Sequence, residues 1–259
     1  MTPRRIVREV APPLVGMAGA VVVWAIVAAI ADSPSLPSPA TVWSALLDGL
    51  GDGSLAEATV LTLIRLAFSF AVAVVLGTSL GMALALNEFA RRSIRPLVVA
   101  LQITPFVAWV PLAVIWFGVT ERAVVFVAIV GSFPAMTLAT IQAIRQVPPL
   151  YRRAGRTLGA EGWTLYREVV FPAAMPGVMA GLQQAWGFAW KALMAGELIV
   201  AAAGATGLGH LLARQRADVP ALLATLAVIL VIGVAADYLL FGLLDRRIRR
   251  RRGLVLDIV

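Results

Sequence analysis

Residues 145–203 read RQVPPLYRRAGRTLGAEGWTLYREVVFPAAMPGVMAGLQQAWGFAWKALMAGELIVAAA, and the character of the chain changes inside this stretch. Arg145, Arg152, Arg153, Arg156 and Arg167 all lie before Pro176, whereas from Pro176 to Ala203 the only charges are Lys191 and Glu197. A bilayer-spanning helix takes roughly 20 mostly apolar residues, so the second part reads as a span and the first as the polar connection into it. Pro148-Pro149 end the preceding element, because proline lacks the amide donor a helix interior needs, and a short helix is expected from about Leu150. Leu150, Ala154, Leu158 and Trp163 fall along one side of it, with Arg152, Arg153 and Arg156 elsewhere. Gly155 and Gly159, four residues apart, predict a stripe without side chains where another surface approaches closely. The pattern is that of an amphipathic helix lying across the end of a bundle, open to a partner.

Outward from this stretch the chain repeats the same alternation. Of its 259 residues 60% are hydrophobic and 14% charged, with a mean hydropathy of +0.89; soluble domains average about 25% charged. Apolar runs predict spans at residues 14–31, 59–86, 97–119, 123–144, 176–203 and 220–244, which makes an all-α integral membrane chain of about six transmembrane helices. The first follows a basic flank but is long for a signal peptide and lacks a clear cleavage site, so it reads as a retained span. Ser38-Pro39 predicts a short helix over residues 40–50. Pro105 and Pro111 interrupt the third span, and broken backbone at membrane depth persists where protein or a water-filled cavity covers it. The domain reading is a cytoplasmic N-terminus at 1–13, one transmembrane unit at 14–244 with the connecting loop 145–172, and a basic tail at 245–259.

Charge orients the bundle. With both termini cytoplasmic, 17 of the 22 basic residues fall on the inner side and 3 on the outer loops, the asymmetry expected of the positive-inside rule. The net charge of +8 is thereby explained without nucleic acid. The chain has no Cys and only His210, expected solvated in an outer loop, so thiol chemistry and a multi-His metal centre are excluded, and with few buried carboxylates little is left to build a catalytic constellation from. No G-x4-G-K-[ST] phosphate loop is present. An ion-gradient-driven transporter would need internal repeats or intramembrane ion ligands, and neither is visible.

Three charges inside apolar runs stand out, because each costs a few kcal/mol or more at the bilayer centre. Arg65 sits near an outer helix end. Lys191 and Glu197 sit on largely different faces of the fifth span; each faces either a pathway or a pairing partner on another helix. Asp237 is a further pairing candidate. Trp186 and Trp190 read as packing or as plugs of a gate. Gly177, Gly181 and Gly187 are small residues that let the fifth span approach another helix closely.

The connecting loop resembles the signature of binding-protein-dependent ABC import permeases, Glu-Ala-Ala-x3-Gly-x9-Ile-x-Leu-Pro. Arg153, Ala154 and Gly155 stand at the triplet, Gly159 at the glycine, and Val169, Phe171 and Pro172 at the close, without insertion. Arg153 departs from the family by replacing an acid. Leu36-Pro37-Ser38-Pro39, Pro105–Leu112 with Trp116-Phe117-Gly118, Ala189-Trp190 with Glu197, and Gly207-Leu208-Gly209 look most like the taurine, aliphatic-sulfonate and nitrate branch. The resemblance implies a type I importer permease of the bacterial inner membrane, with the loop as coupling helix. It implies a second permease subunit, expected to be identical and suited by Gly177, Gly181 and Gly187 at the subunit contact, two ATPase subunits that carry ATP and Mg, and an extracytoplasmic solute-binding protein. It further implies no cofactor and no enzymatic activity on this chain. The solute would be a small anion such as taurine or another sulfonate, alternatively nitrate, bicarbonate or a vitamin-precursor pyrimidine. Pathway or gate candidates are Arg65, Pro105, Pro111, Trp190, Lys191 and Glu197; Gly207, Leu208 and Gly209 are candidates for contact with the binding protein.

Overall fold

The computed structural model describes residues 3–200 and 205–242, and all regular structure in them is helical. In chain order the α-helices are α1 (Pro3–Ala31), α2 (Pro39–Gly51), α3 (Ser54–Leu86), α4 (Glu88–Ile103), α5 (Val110–Phe117), α6 (Glu121–Arg145), α7 (Pro149–Thr157), α8 (Gly162–Leu165), α9 (Phe171–Ile199), α10 (Leu208–Arg214) and α11 (Val219–Ala235). The basic tail 245–259 and the side chain of Asp237 lie outside the described residues.

The helices α3 and α6 are each long and apolar enough to cross a membrane, and α4 with residues 106–117 forms a third such unit bent by 97°. Residues 15–31 and 219–235 are shorter apolar helices. With α9, whose 29 residues include two charges, helix occupies each of the six apolar runs read from the sequence. The break after α4 falls at Thr104-Pro105, both in extended backbone. Proline pushes the residue before it out of helical geometry, which explains the position of the bend. Two boundaries differ from expectation. Residues 88–96 form helix and not a loop, because the Asn87 side chain accepts from the Ala90 amide at 3.0 Å and Glu88 pairs with Arg91 and Arg92 one turn on. Likewise the helix of the fifth span starts ahead of Pro176: α8 and a π-helical turn over residues 166–170 run directly into α9 at Phe171, and Pro172, which has no amide to donate, follows that turn.

The centre of the bundle is α6, packed between α3 and α9. Glycines set the spacing. A Cβ at Gly77 or Gly81 of α3 would lie 2.7 Å from Met136 Cβ or 2.6 Å from Thr140 Cβ, and one at Gly177 or Gly181 of α9 would lie 2.8 and 2.5 Å from the Cβ atoms of Ala143 and Ala139. Gly177 and Gly181 are therefore used inside the protomer, not at the subunit contact expected for them, because α6 offers alanines at the matching positions. Along α6 the buried Ser132, Thr137 and Thr140 hydroxyls donate to the carbonyls of Ala128, Phe133 and Met136 at 2.6, 2.9 and 2.8 Å, so each of these three is satisfied within its own helix. On the outside, Val15, Met17, Val22 and Ile30 of α1 and Ile64, Phe68 and Val75 of α3 are exposed, an apolar surface suited to lipid or partner helices.

Candidate functional site

Where α3 begins and α9 ends, the structure gathers most of the charged candidates into one buried cluster. Thr62 and Arg65 lie three residues apart on α3 and so face the same way; Glu197 stands in the last turn of α9 and has no exposed surface. Arg65 Nη1 donates to Glu197 Oε1 at 2.9 Å and to the Thr206 carbonyl at 2.7 Å, and Nη2 donates to Glu121 Oε1 at 2.5 Å. The Thr62 hydroxyl donates to Glu197 at 3.0 Å while accepting from the Leu208 amide at 2.9 Å. The Gly209 amide donates to Glu197 Oε2 at 2.9 Å. Both carboxylate oxygens are thus satisfied, which is the condition for a buried charge to persist.

Gly207 and Gly209 owe their identity to this cluster. A Cβ on Gly207 would lie 2.7 Å from both Glu197 carboxylate oxygens and 2.8 Å from Arg65 Nη1; one on Gly209 would lie 2.5 Å from Glu197 Cβ. Gly207, Leu208 and Gly209 are all buried, so the segment read as a contact for a binding protein faces inward in the protomer. His210, expected solvated, is 3% exposed; its Nε2 lies 3.0 Å from the Val200 carbonyl, and burial holds its pKa below the ordinary histidine value. Short-range sequence could not have revealed this, since the burial comes from α10 folding back over the end of α9.

At the opposite end, α7 presents the basic face. Leu150, Tyr151, Leu158 and Trp163 are 72%, 53%, 87% and 58% exposed, and Arg153, Ala154 and Arg156 are exposed beside them. Arg152 donates to the Ile144 carbonyl at 3.1 Å, which fastens α7 to the end of α6. A groove of about 320 Å³ lies behind, lined by Arg152, Arg156, Glu161, Gly162, Leu165 and Tyr166. The expected glycine stripe does not form. Gly155 faces inward, where a Cβ would lie 2.7 Å from Leu165 Cδ1. Gly159 lies past the end of α7 at φ +86°, the left-handed geometry that stops a helix. One glycine admits the returning chain and the other turns it. Pro172 is exposed at the start of α9.

Lys191 is separated from the cluster. It is exposed on α9, seven residues from the exposed Gln184 and so on the same face, with Gly187 between them and no atom within 4 Å of where its Cβ would be. Trp190 is half-buried against the core that includes Leu193 and Val127, and Trp186 meets Phe70 edge-on at 5.2 Å, so both serve packing. Pro105 and Pro111 are exposed at the bend between α4 and α5.

Residues 73–250 match the family described as binding-protein-dependent transport system inner membrane component. A protein described as an ABC transporter permease from Methanocaldococcus jannaschii is 31% identical over 84% of this chain and 84% of its own. The taurine transport system permease protein TauC of Escherichia coli is 30% identical over 83% of this chain and 78% of its own. For the bicarbonate transport system permease protein CmpB of Synechococcus elongatus the values are 29%, 76% and 74%. A chain of the inward-facing MetNI methionine ABC transporter superposes with a TM-score of 0.62 at 20% identity, over 75% of this chain and 96% of that one.

Proposed function

From the premise that this chain belongs to the binding-protein-dependent inner membrane component family, the permeases of ABC importers, we propose that it lines the translocation path for a small anion of the taurine or sulfonate kind. The observation that carries the reading is Lys191. Among the described residues it is the one exposed charge well inside an apolar helix, about 12 Å from the end of α9 at 1.5 Å per residue. A lysine facing hydrocarbon there is costly, whereas one facing a wet path between two protomers is not and attracts anions. Gln184 and the open notch at Gly187 extend a polar track along the same face. Bicarbonate fits the lysine equally well and is the second reading, supported by the likeness to a bicarbonate permease.

In this reading two copies of the chain surround one path, and a solute-binding protein delivers from outside. The arginine-rich end is cytoplasmic, as are both termini, in a bacterial inner membrane. ATP is hydrolysed on separate subunits that grip α7. Because Arg153 and Arg156 flank the exposed apolar residues with no acid between them, the gripping groove is acidic in this reading. Arg153→Glu is expected to lower the ATPase recovered with the permease roughly tenfold, on the scale of one charge-assisted contact turned repulsive; undiminished recovery would remove the charge argument.

The decisive experiment is recovery of the complex from membranes and assay of its ATPase with taurine, other sulfonates and bicarbonate. Stimulation by one of these anions is expected, with Lys191→Met lowering anion uptake about tenfold while leaving ATPase recovery intact. A chain recovered without an ATPase would overturn the reading. Unchanged uptake by Lys191→Met would remove Lys191 from the path.

A further inference from the structure

A groove of about 250 Å³ lies at the arginine-rich end of the bundle, between the start of α4 and the end of α6, and shares no lining residue with the groove behind α7 or with the Lys191 track. Its lining is Arg91, Arg95, Ile141, Gln142, Arg145 and Gln146: three guanidinium groups and two amides around one aliphatic side chain, with no carboxylate. Spacing explains the convergence. Arg91 and Arg95 are four residues apart on α4, and Gln142 and Gln146 four apart on α6, so each helix turns a donor pair toward the same space.

The charges there are incompletely matched. Glu88 is the one acid at this place, and it is shared by Arg91, by Arg92 at 2.8 Å and by Arg145 at 3.5 Å. Arg95 has no carboxylate within pairing distance among the described residues. Arg91 is only 15% exposed, yet its Nε is buried without a hydrogen-bond partner. The exposed Arg95 guanidinium, with no carboxylate to pair with, suits a ligand that supplies acceptor oxygens. Next to Arg91 and Arg95 α4 exposes Ile94, and further round the helix Phe89 and Leu97, at 36%, 81% and 64%. Cationic donors and an uncovered apolar strip thus share one helix at the end of the bundle, the combination that the phosphate and acyl chains of a lipid require.

We propose that this groove binds the phosphate of an anionic phospholipid, with Arg91, Arg95 and Arg145 as its donors and the α4 strip against its chains. Guanidinium forks match phosphate oxygens in pairs, and basic pockets between membrane helices bind anionic headgroups in this way. The site depends on the proposed orientation only for which leaflet supplies the lipid.

The test is native mass spectrometry of the purified complex, with its ATPase, in detergent carrying equal phosphatidylglycerol and phosphatidylcholine. Because both lipids reach the protein from any side, the result does not depend on the transport reading or on orientation. The complex is expected to retain phosphatidylglycerol over phosphatidylcholine by roughly tenfold or more, falling to near parity in Arg95→Gln/Arg145→Gln. Arg122→Gln/Arg216→Gln, with equal charge removed at the other end, should keep the preference. Arg95→Gln alone, which breaks no ion pair, gives the same reading should the double variant fail to assemble. Equal retention of the two lipids by the unmodified complex, or an undiminished preference in Arg95→Gln/Arg145→Gln, would overturn the proposal. Displacement of the lipid by millimolar inorganic phosphate would overturn the lipid assignment in favour of a soluble phosphate. Retention of phosphatidylglycerol only after the ATPase is stripped away would overturn it in favour of an ATPase contact.

Discussion

Glu197→Leu is expected to cost the folded permease roughly 3–5 kcal/mol, the range for removing one partner of a buried ion pair. The carboxylate has no exposed surface and holds three groups at once: Arg65, the Thr62 hydroxyl and the Gly209 amide. Leucine fills similar space but accepts nothing, so the amide and one arm of the guanidinium lose their acceptor in a dry site. Arg65 keeps Glu121 and the Thr206 carbonyl, which places the expected loss toward the lower end. The readout is the denaturation midpoint of the purified chain, with protease access to the segment before α10 as a local check. Glu121→Gln gives the contrast: that acid is 62% exposed, and exposed pairs contribute about 1 kcal/mol or less. Combining Arg65→Met with Glu197→Leu should restore part of the loss, because an apolar pair of similar volume needs no charge partner. A double variant as unstable as Glu197→Leu alone would show that the carboxylate acts through the loop amides and not through Arg65.

The parts of this arrangement that local chemistry decides were legible from residues. Six apolar runs, the Ser38-Pro39 helix start and the break at Pro105 depend on the hydropathy and backbone preferences of a few neighbouring residues, and among the described residues helix covers each run, with the start and the break at the expected prolines. The stop at Pro148-Pro149 and the helix that follows it belong with them. The pairing of Arg65 with Glu197 does not, because 132 residues separate them and nothing on α3 specifies which helix lies opposite. Sequence left Glu197 between a path and a partner for that reason. The signal that could have decided it was Gly207-x-Gly209 following the one carboxylate of the fifth span, since two small residues close after a buried charge are what a backbone needs to reach it. Gly155 and Gly159 failed in the opposite sense. Four-residue spacing is meaningful only while a helix lasts, and α7 ends before Gly159, which takes the left-handed turn itself. Gly177 and Gly181 were correctly small, but whether the neighbour is one's own α6 or a second chain is a property of the fold.

The seam between α3 and α6 carries the second large effect. Gly81→Leu should reduce the yield of folded, monodisperse protein severely, with a stability loss of roughly 3 kcal/mol, the upper end for overpacking a filled interior. A Cβ at Gly81 already lies 2.6 Å from Thr140 Cβ and 2.8 Å from the Thr137 carbonyl. The backbone carbonyl cannot step aside without bending α6. Thr140 is also held, by its own bond to Met136 at 2.8 Å. Apolar surface gains no burial advantage between helices in lipid, so close packing over small residues is what keeps such a seam together. Gly187→Leu separates packing from transport. Nothing lies within 4 Å of its added Cβ, and leucine favours helix over glycine by up to about 1 kcal/mol, so that variant should fold as well as the unmodified chain. Its side chain would instead enter the polar track between Gln184 and Lys191 and lower uptake. Normal uptake by a well-folded Gly187→Leu would move the path off this face of α9, whereas a normal yield of Gly81→Leu would mean that α3 and α6 have more room between them than their glycines imply.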